Sequence, residues 1–301
     1  RASKLSKTIA LAEGTDVRAA KAAEILTQKN VCKVVLIGNE EEIKTKFPEI
    51  DFTGVSFDDP KTSEHRAEYA NTLYELRKAK GMTEEQALNI VTTNNMFYAC
   101  VALKRGDVDG VVGGAVFSSA DVSRAAFQVI KAAPGISSVS SCFVMVPPED
   151  FKYKKYPAYI FSDCAVIPYP TSDQLADIVV AAADSAKKIC EMDPKIAMLS
   201  FSSKGSANHE SVEKVRVAYQ KVKEEHPDID VDGELQLDAS LVDSVANQKA
   251  PGSPVAGKAN VLVFPNLDAG NIGYKIAQRF GNCMAIGPCL LYTSDAADDK
   301  A

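Results

Sequence analysis

The chain has 301 residues, of which 46% are hydrophobic and 25% are charged. This length predicts about two domains, and the composition is typical of a folded globular protein. The formal net charge is −6, from 34 Lys and Arg against 40 Asp and Glu, and the two signs are interspersed. Without a basic stripe, nucleic acid is not expected as a partner. No apolar run reaches the ~18 residues that a membrane span needs, so no membrane partner is expected either.

The cysteines and histidines also limit the possible chemistry. The seven cysteines are scattered and form no C-x-x-C pair, which favours a reducing, cytoplasmic setting. The three histidines lie far apart and show no H-x-x-x-H or H-E-x-x-H spacing, so no metal site is expected. No signal peptide is evident, and an upstream segment stays open because the chain opens on Arg1.

Strand-like runs alternate with helical patterns along much of the chain. The β-branched runs lie at 8–11, 33–37, 108–112, 196–200 and 260–264, and helical patterns follow them at 16–30, 40–46, 120–132, 208–225 and 269–280. Strand–helix alternation needs crossover connections, so the pattern predicts an α/β fold of mainly parallel sheets flanked by helices.

Two stretches depart from this alternation. Between residues 61 and 105, two successive helices are predicted, and Thr83 with Gln86 forms a capping box at the start of the second. Between residues 135 and 167, proline-edged β-rich runs indicate the beginning of another sheet. We therefore place a domain boundary near residue 138 and expect a two-lobed protein with a cleft between the lobes. The predicted domains are residues 1–138 and 139–288.

The most distinctive motif is a turn between a strand and a helix. The strand ends in the paired glycines Gly113 and Gly114, and the helix begins after the hydroxyls of Ser118 and Ser119. Free backbone N–H groups and two hydroxyls at such a turn predict an anion site. Arg124, one turn into the helix, is placed to bind a phosphate through two nitrogens. The glycine spacing matches neither the dinucleotide fingerprint nor the P-loop, and an ordinary tight turn with an N-cap also fits.

Arg77 lies in the cationic last turn of a predicted helix that Gly81 closes. The helix dipole and a glycine cap produce the same pattern in helices without any binding role, so a structural interpretation stays open. The turn 203–206, which follows the strand at 196–200, likewise fits either an anion site or a solvent-exposed turn.

A third stretch combines a loop rich in proline and glycine with a buried strand. The loop runs from residue 249 to Lys258 and Asn260, and Asn266 and Asn271 follow the strand. Open α/β sheets place ligands at this end of their strands. Asn271 fits the N-cap of the following helix equally well.

Taken in order, these motifs resemble the phosphate acetyltransferases (phosphotransacetylases) of the phosphate acetyl/butyryltransferase family. The similar runs are 74–81, 109–119, 203–206, 232–239, 249–260 and 264–272, within a match from about Leu5 to Pro288. Each run is weak alone, but the ordered set is specific.

The resemblance implies a reaction: acetyl-CoA and phosphate give acetyl phosphate and CoA, reversibly, in a ternary complex. It implies a fold similar to isocitrate and isopropylmalate dehydrogenases, and a homodimer. By the same resemblance, Arg77 and Arg124 hold the phosphate, Ser118 and Ser119 line its pocket, and Lys258 lies near the cleft. CoA enters as a substrate, so no cofactor and no metal are expected, and a carboxylate is expected to deprotonate its thiol.

The sequence departs from the family after Pro288. There the family carries a serine–arginine pair and the presumed thiol base, whereas residues 289–301 form an anomalous tail rich in Asp and Ala. We expect a truncated or out-of-frame ending. The chain as written is then expected to lack part of its first domain and of its catalytic set.

Three alternatives stay open. Phosphate butyryltransferase shares the fold, and acyl-pocket size is not readable from these motifs. A non-catalytic acyl-CoA-sensing domain, of the type associated with malic enzymes, is the second. The third is a dehydrogenase of the same fold, which the missing nucleotide fingerprint and metal-binding aspartates disfavour.

Overall fold

The computed structural model of the protein describes residues 2–131 and 138–291, which form two compact units that divide between residues 131 and 138. We describe each unit by itself. The division falls in the segment 132–137, outside the described residues, so the exact boundary near residue 138 stays a prediction.

The first unit contains a parallel sheet in the order β3-β2-β1-β4. Its strands are β1 (Thr8–Leu11), β2 (Lys33–Ile37), β3 (Val55–Asp58) and β4 (Gly110–Val112). Its helices are α1 (Val17–Gln28), α2 (Glu40–Lys46), α3 (Arg66–Arg77), α4 (Glu84–Thr93), α5 (Asn95–Arg105) and α6 (Ser119–Val129). Side chains of β2 alternate between two apolar clusters, Val34 and Leu36 in one and Ile37 in the other, because helices cover both faces of the sheet.

The predicted parallel arrangement is confirmed, but two details of this unit were wrong. Strand β3 pairs with β2 in parallel, although its sequence gave no clear β signal. The stretch 61–105 holds three α-helices instead of two, because the Asn94 side chain accepts the N–H groups of Met96 and Phe97 and starts α5. The capping box of Thr83 and Gln86 is present at the start of α4.

The second unit contains a six-stranded sheet in the order β10-β5-β6-β9-β7-β8. Its strands are β5 (Ser140–Val146), β6 (Tyr159–Ser162), β7 (Ile196–Leu199), β8 (Val231–Leu235), β9 (Val261–Val263) and β10 (Met284–Leu291). Its helices are α7 (Ser172–Cys190), α8 (Glu210–Glu225), α9 (Leu237–Leu241), α10 (Asp243–Lys249) and α11 (Leu267–Arg279). β10, β5 and β6 are antiparallel neighbours, whereas β6, β9, β7 and β8 run parallel.

Both faces of the second sheet are also buried. Along β9, Val261 and Val263 pack into the cluster under α7 and α8, while Leu262 belongs to the cluster on the opposite face. Continuous apolar strands of this kind are expected when both faces are covered. Residues 289–291, the start of the expected anomalous tail, form the end of β10 and pair with β5. The rest of that tail lies outside the described residues.

Candidate functional site

The loop after β4 has the backbone geometry that only glycine allows. Gly114 has a φ of 103°, in the region that L side chains rarely adopt. A Cβ on Gly113 would lie 2.1 Å from Cε of Met96, so a side chain there would require the end of the buried Met96 side chain to move. Both glycines are nevertheless exposed to solvent on their other side. The loop is therefore open to a ligand and fixed against the core.

The N–H groups of this loop are not free, which corrects the sequence interpretation. The buried Glu13 carboxylate accepts the N–H groups of residues 114 to 117, at 2.5 to 2.8 Å. Glu13 follows β1, and Ala12 donates to the carbonyl of Val112, so the two chain segments run side by side here. A carboxylate of the protein thus occupies the main-chain donors that were expected to bind a substrate anion.

Side-chain donors remain at the start of α6. Ser118 is the N-cap: its Oγ accepts the N–H of Asp121 and donates to the Asp121 carboxylate at 2.7 Å. Arg124 Nη1 donates to the same carboxylate at 2.9 Å, and its side chain is 59% exposed. The hydroxyl of Ser118, and then Arg124, hold the pKa of Asp121 below its ordinary value. Ser119 begins the helix and is exposed. Among the described residues this guanidinium is held by a surface carboxylate alone, and an exposed guanidinium of that kind is available to an incoming dianion.

Arg77 ends α3, a helix that packs against α6. The arginine is half-buried, and its Nε is buried with no hydrogen-bond partner among the described residues. Buried polar groups are almost always paired, so the Nε of Arg77 is an unusual donor among the described residues. The neighbouring Lys78 instead pairs with Glu75 at 2.5 Å, and Gly81 closes the turn with a φ of 86°.

Arg18 was not singled out in the sequence, yet it touches the same loop. Its guanidinium binds the Asp16 carboxylate through two nitrogens and donates to the carbonyl of Ala115. The N-cap position of Asp16 at the start of α1 was the available signal, but the contact with Ala115 joins residues far apart in the chain. The first unit thus places five sequence-predicted residues on one loop and helix that Arg18 contacts through Ala115: Gly113, Gly114, Ser118, Ser119 and Arg124. The sixth, Arg77, ends the neighbouring helix α3.

The three predicted residues of the second unit lie beside β9. Lys258 has an exposed side chain, and its carbonyl accepts the Tyr156 hydroxyl at 2.9 Å. Asn266 is the N-cap of α11, where its side chain accepts the N–H of Ala269. Asn271 is inside that helix, so the N-cap alternative for Asn271 is wrong. Its amide donates to the carbonyl of Cys164, at 3.2 Å.

At the turn 203–206, where the sequence fits either an anion site or a solvent-exposed turn, an internal carboxylate accepts donors of the turn. Glu234, 2% exposed, accepts from the Gly205 N–H, the Ser202 hydroxyl and two nitrogens of Arg216. Burial alone would raise the pKa of Glu234, but the hydrogen bonds from Arg216, Gly205 and Ser202 outweigh it and lower the pKa to about 2. The carboxylate therefore stays ionised, and the turn is structural.

Within residues 2–131 and 138–291, no three His, Cys, Asp or Glu side chains cluster in a way that could hold a metal ion. Over the same ranges, each helix is too short or too polar to cross a bilayer.

Comparison with known proteins identifies close relatives. The family model described as phosphate acetyl/butaryl transferase matches residues 1–300. The phosphate acetyltransferase of Thermoanaerobacterium thermosaccharolyticum is 48% identical over 282 residues, which cover 94% of this chain and 85% of the relative. The crystal structure of a phosphotransacetylase from Streptococcus pyogenes superposes with a TM-score of 0.86 at 40% identity, covering 95% of this chain and 85% of that one.

A more distant similarity concerns the fold alone. A 4-hydroxythreonine-4-phosphate dehydrogenase from Klebsiella pneumoniae superposes with a TM-score of 0.54 at 11% identity, over 98% of this chain and 92% of the other. The α/β fold with parallel strands is therefore shared with a dehydrogenase.

Proposed function

Because the chain belongs to the phosphate acetyl/butaryl transferase family, we propose that it catalyses reversible transfer of an acetyl group between coenzyme A and inorganic phosphate. The observation that carries the proposal is the 48% identity, over 94% of the chain, to a phosphate acetyltransferase. Preference for acetyl over butyryl groups is part of the proposal and has the same support.

The proposed chemistry exchanges a C–S bond for a C–O bond. A phosphate oxygen attacks the thioester carbonyl carbon, a tetrahedral oxyanion forms, and the C–S bond breaks to release CoA as a thiolate, which takes up a proton. No atom changes oxidation state, so we propose that CoA acts as a substrate without a resident cofactor. Binding both substrates together in a ternary complex supplies the proximity that the attack needs.

Two arginines are proposed to offset the negative charge of the reactants. Arg124 is exposed at the start of α6, and Arg77 on the neighbouring α3 has a buried Nε that lacks a hydrogen-bond partner within the part of the chain that the structure describes. Fixed guanidiniums stabilise a phosphate dianion and the developing oxyanion without reorganising during the reaction. Ser118 and Ser119 supply hydroxyl donors beside them.

The finer architecture belongs to the same proposal. By family resemblance, we propose a two-lobed arrangement like that of isocitrate and isopropylmalate dehydrogenases, with Lys258, Asn266 and Asn271 as the second unit's contribution to substrate binding. We also propose a cytoplasmic location, because all seven cysteines are free thiols, as expected in a reducing compartment.

A homodimer is proposed from the surface of the second unit. Ile272, Ile276 and Phe280 recur every fourth residue along α11 and just beyond its end, and all three are more than half exposed. An apolar stripe of this size is unusual on a monomer surface and fits an interface between two copies.

Release of free CoA thiol from acetyl-CoA tests the proposed reaction. We expect thiol release that requires inorganic phosphate and is faster with acetyl-CoA than with butyryl-CoA. The assay is run on this chain and on a version that carries a relative's C-terminal segment after residue 288, because the family's thiol base is expected there. Acetyl-CoA binding without phosphate-dependent thiol release in both proteins would contradict the proposal and favour an acyl-CoA sensor.

A further inference from the structure

Glu13 is buried, with 6% of its surface exposed, and it has no role in the reaction proposed above. Its two oxygens accept four consecutive main-chain N–H groups: Oε2 those of Gly114 and Ala115, and Oε1 those of Val116 and Phe117. None of the ion pairs among the described residues includes Glu13. Its negative charge is therefore stabilised chiefly by the loop that precedes α6.

We propose that Glu13 is a positioning residue for phosphate binding, which rests on the proposed function. The loop it holds runs directly into Ser118, the N-cap of α6, and one turn of that helix leads to Arg124. With four donors fixed on one carboxylate, the loop has a single arrangement, and the Ser118 hydroxyl and the Arg124 guanidinium are presented in fixed places before phosphate arrives.

A second contact fixes the same loop from its other side. Arg18 donates to the carbonyl of Ala115, whose N–H is bound by Glu13. The peptide units on both sides of Ala115 are thus held by opposite charges. Without these two contacts, the loop would become ordered only when phosphate binds. The free-energy cost of ordering the loop would then weaken phosphate binding.

The chemistry requires a carboxylate of this length. Glutamine has the same shape, but its amide nitrogen is a donor and would face two of the four N–H groups. Aspartate keeps the charge but is one methylene shorter, so it reaches fewer of the four donors. Glu13→Gln therefore removes the acceptor pattern with no change in volume, and Glu13→Asp retains part of it.

The test measures inorganic phosphate binding by isothermal titration calorimetry, with amide hydrogen exchange as a second measurement. For Glu13→Gln we expect the phosphate dissociation constant to rise at least about tenfold with unchanged binding stoichiometry, and faster exchange confined to residues 114–117. Glu13→Asp is expected to recover part of the affinity. The control is Glu41→Gln, an exposed glutamate of α2, which should leave both measurements unchanged.

Several results would overturn the proposal. One is a Glu13→Gln protein that binds phosphate within twofold of the original chain. Another is a lower stoichiometry at an unchanged dissociation constant, which would indicate a purely structural role through lost folded protein. If Glu13→Gln does not fold, Glu13→Asp decides: affinity equal to that of the original chain overturns the proposal, and weakened affinity at full stoichiometry supports it.

These outcomes are separable from the fate of the proposed function. An original chain that binds phosphate but releases no CoA thiol, combined with weakened binding in Glu13→Gln, supports the role of Glu13 and contradicts the reaction. If the original chain is active and its Glu13→Gln variant binds phosphate normally, the reaction is supported and the role of Glu13 is contradicted. An original chain that binds no phosphate overturns the role of Glu13.

Discussion

In both units, a carboxylate of the protein accepts the main-chain N–H groups of a turn. Glu13 accepts four N–H groups of residues 114–117, and Asp163 accepts those of residues 165–167. In water-poor surroundings, a carboxylate satisfied in this way stabilises the turn that surrounds it. The N–H groups of these two turns are therefore not free for a substrate anion, and the proposed phosphate site relies on the side chains of Arg77 and Arg124.

The first prediction concerns Arg124. Arg124→Ala is expected to raise the phosphate concentration for half-maximal activity by about 10- to 100-fold, because a charge-assisted hydrogen bond to the dianion is lost. Steady-state rates at varied phosphate and saturating acetyl-CoA measure this. Arg66→Ala, an exposed arginine of α3, is the control. An unchanged phosphate requirement in Arg124→Ala would remove this residue from the site.

The second prediction concerns the pair of the buried Glu234 and the partly exposed Arg216 in the second unit. Arg216→Met leaves the Glu234 carboxylate without its cation but with the Gly205 N–H and the Ser202 hydroxyl, and we expect a loss of about 2 kcal/mol in the free energy of unfolding at pH 7. Denaturant titration measures this. Lys223→Met, an exposed change on the same helix α8, should alter the stability by less than about 0.5 kcal/mol.

The third prediction is the pH dependence that follows from the same carboxylate. Its pKa is about 2 in the folded protein, below its ordinary value of 4.5, so the unfolded chain takes up the proton first as the pH falls. The stabilisation is fully present above pH 4.5 and is lost as the pH falls toward 2. Glu234→Gln should flatten the dependence of unfolding free energy on pH across this window. If the unfolding free energy of Glu234→Gln falls as steeply with pH as that of the original chain, groups other than Glu234 cause the acid sensitivity.

At the scale of elements, one side chain decides how the helical stretch of the first unit divides. Asn94 ends α4 and caps α5, and the second and third residues of α5, Met96 and Phe97, are buried in the core. Asn94→Ala is expected to cost about 1 kcal/mol of unfolding free energy, since two N–H groups lose their acceptor. Thermal or denaturant unfolding measures this free energy, with Asn89→Ala at an exposed position of α4 as the control. Equal stability of the two variants would show that the cap contributes nothing.

The elements that the sequence predicted well are those with strong local signals. Strands β1 and β2 and helix α2 were predicted at their observed bounds, because apolar runs and charged flanks are encoded locally. Strand β3 was missed, since it is held by pairing with β2 and packing against the sheet rather than by its own pattern. The split at Asn94 was missed because asparagine occurs inside helices as well as at caps.

In the candidate site too, the residues that could be predicted are those with a local sequence signal. Glycines, serines and Arg124 could be located because a strand–turn–helix transition is visible in sequence. The role of Glu13 could not, because its four donors lie 101 to 104 residues further along the chain. Contacts of this range depend on the strand order, in which β4 lies beside β1 although residues 12–109 intervene.

At the scale of the whole molecule, charge and apolar surface have different consequences. The net charge of −6 opposes association with polyanions. The stripe formed by Ile272, Ile276 and Phe280, exposed by 58%, 52% and 90%, instead favours association through an apolar contact. Of the three, Phe280 would bury the largest apolar area against a second copy, because aromatic side chains are large.

The fifth prediction follows from the symmetry of such a contact. In a two-fold interface each substitution occurs twice, so Ile276→Asp would place a carboxylate of each copy in the apolar contact. Burying unpaired charges is costly, and we expect the dimer dissociation constant to rise at least about 100-fold, with a monomer in light scattering after size exclusion. Val217→Asp, at a similarly exposed apolar position on α8, should leave the dimer intact. A monomeric original chain, or a dimer that tolerates Ile276→Asp and dissociates with Val217→Asp, would move the interface away from α11.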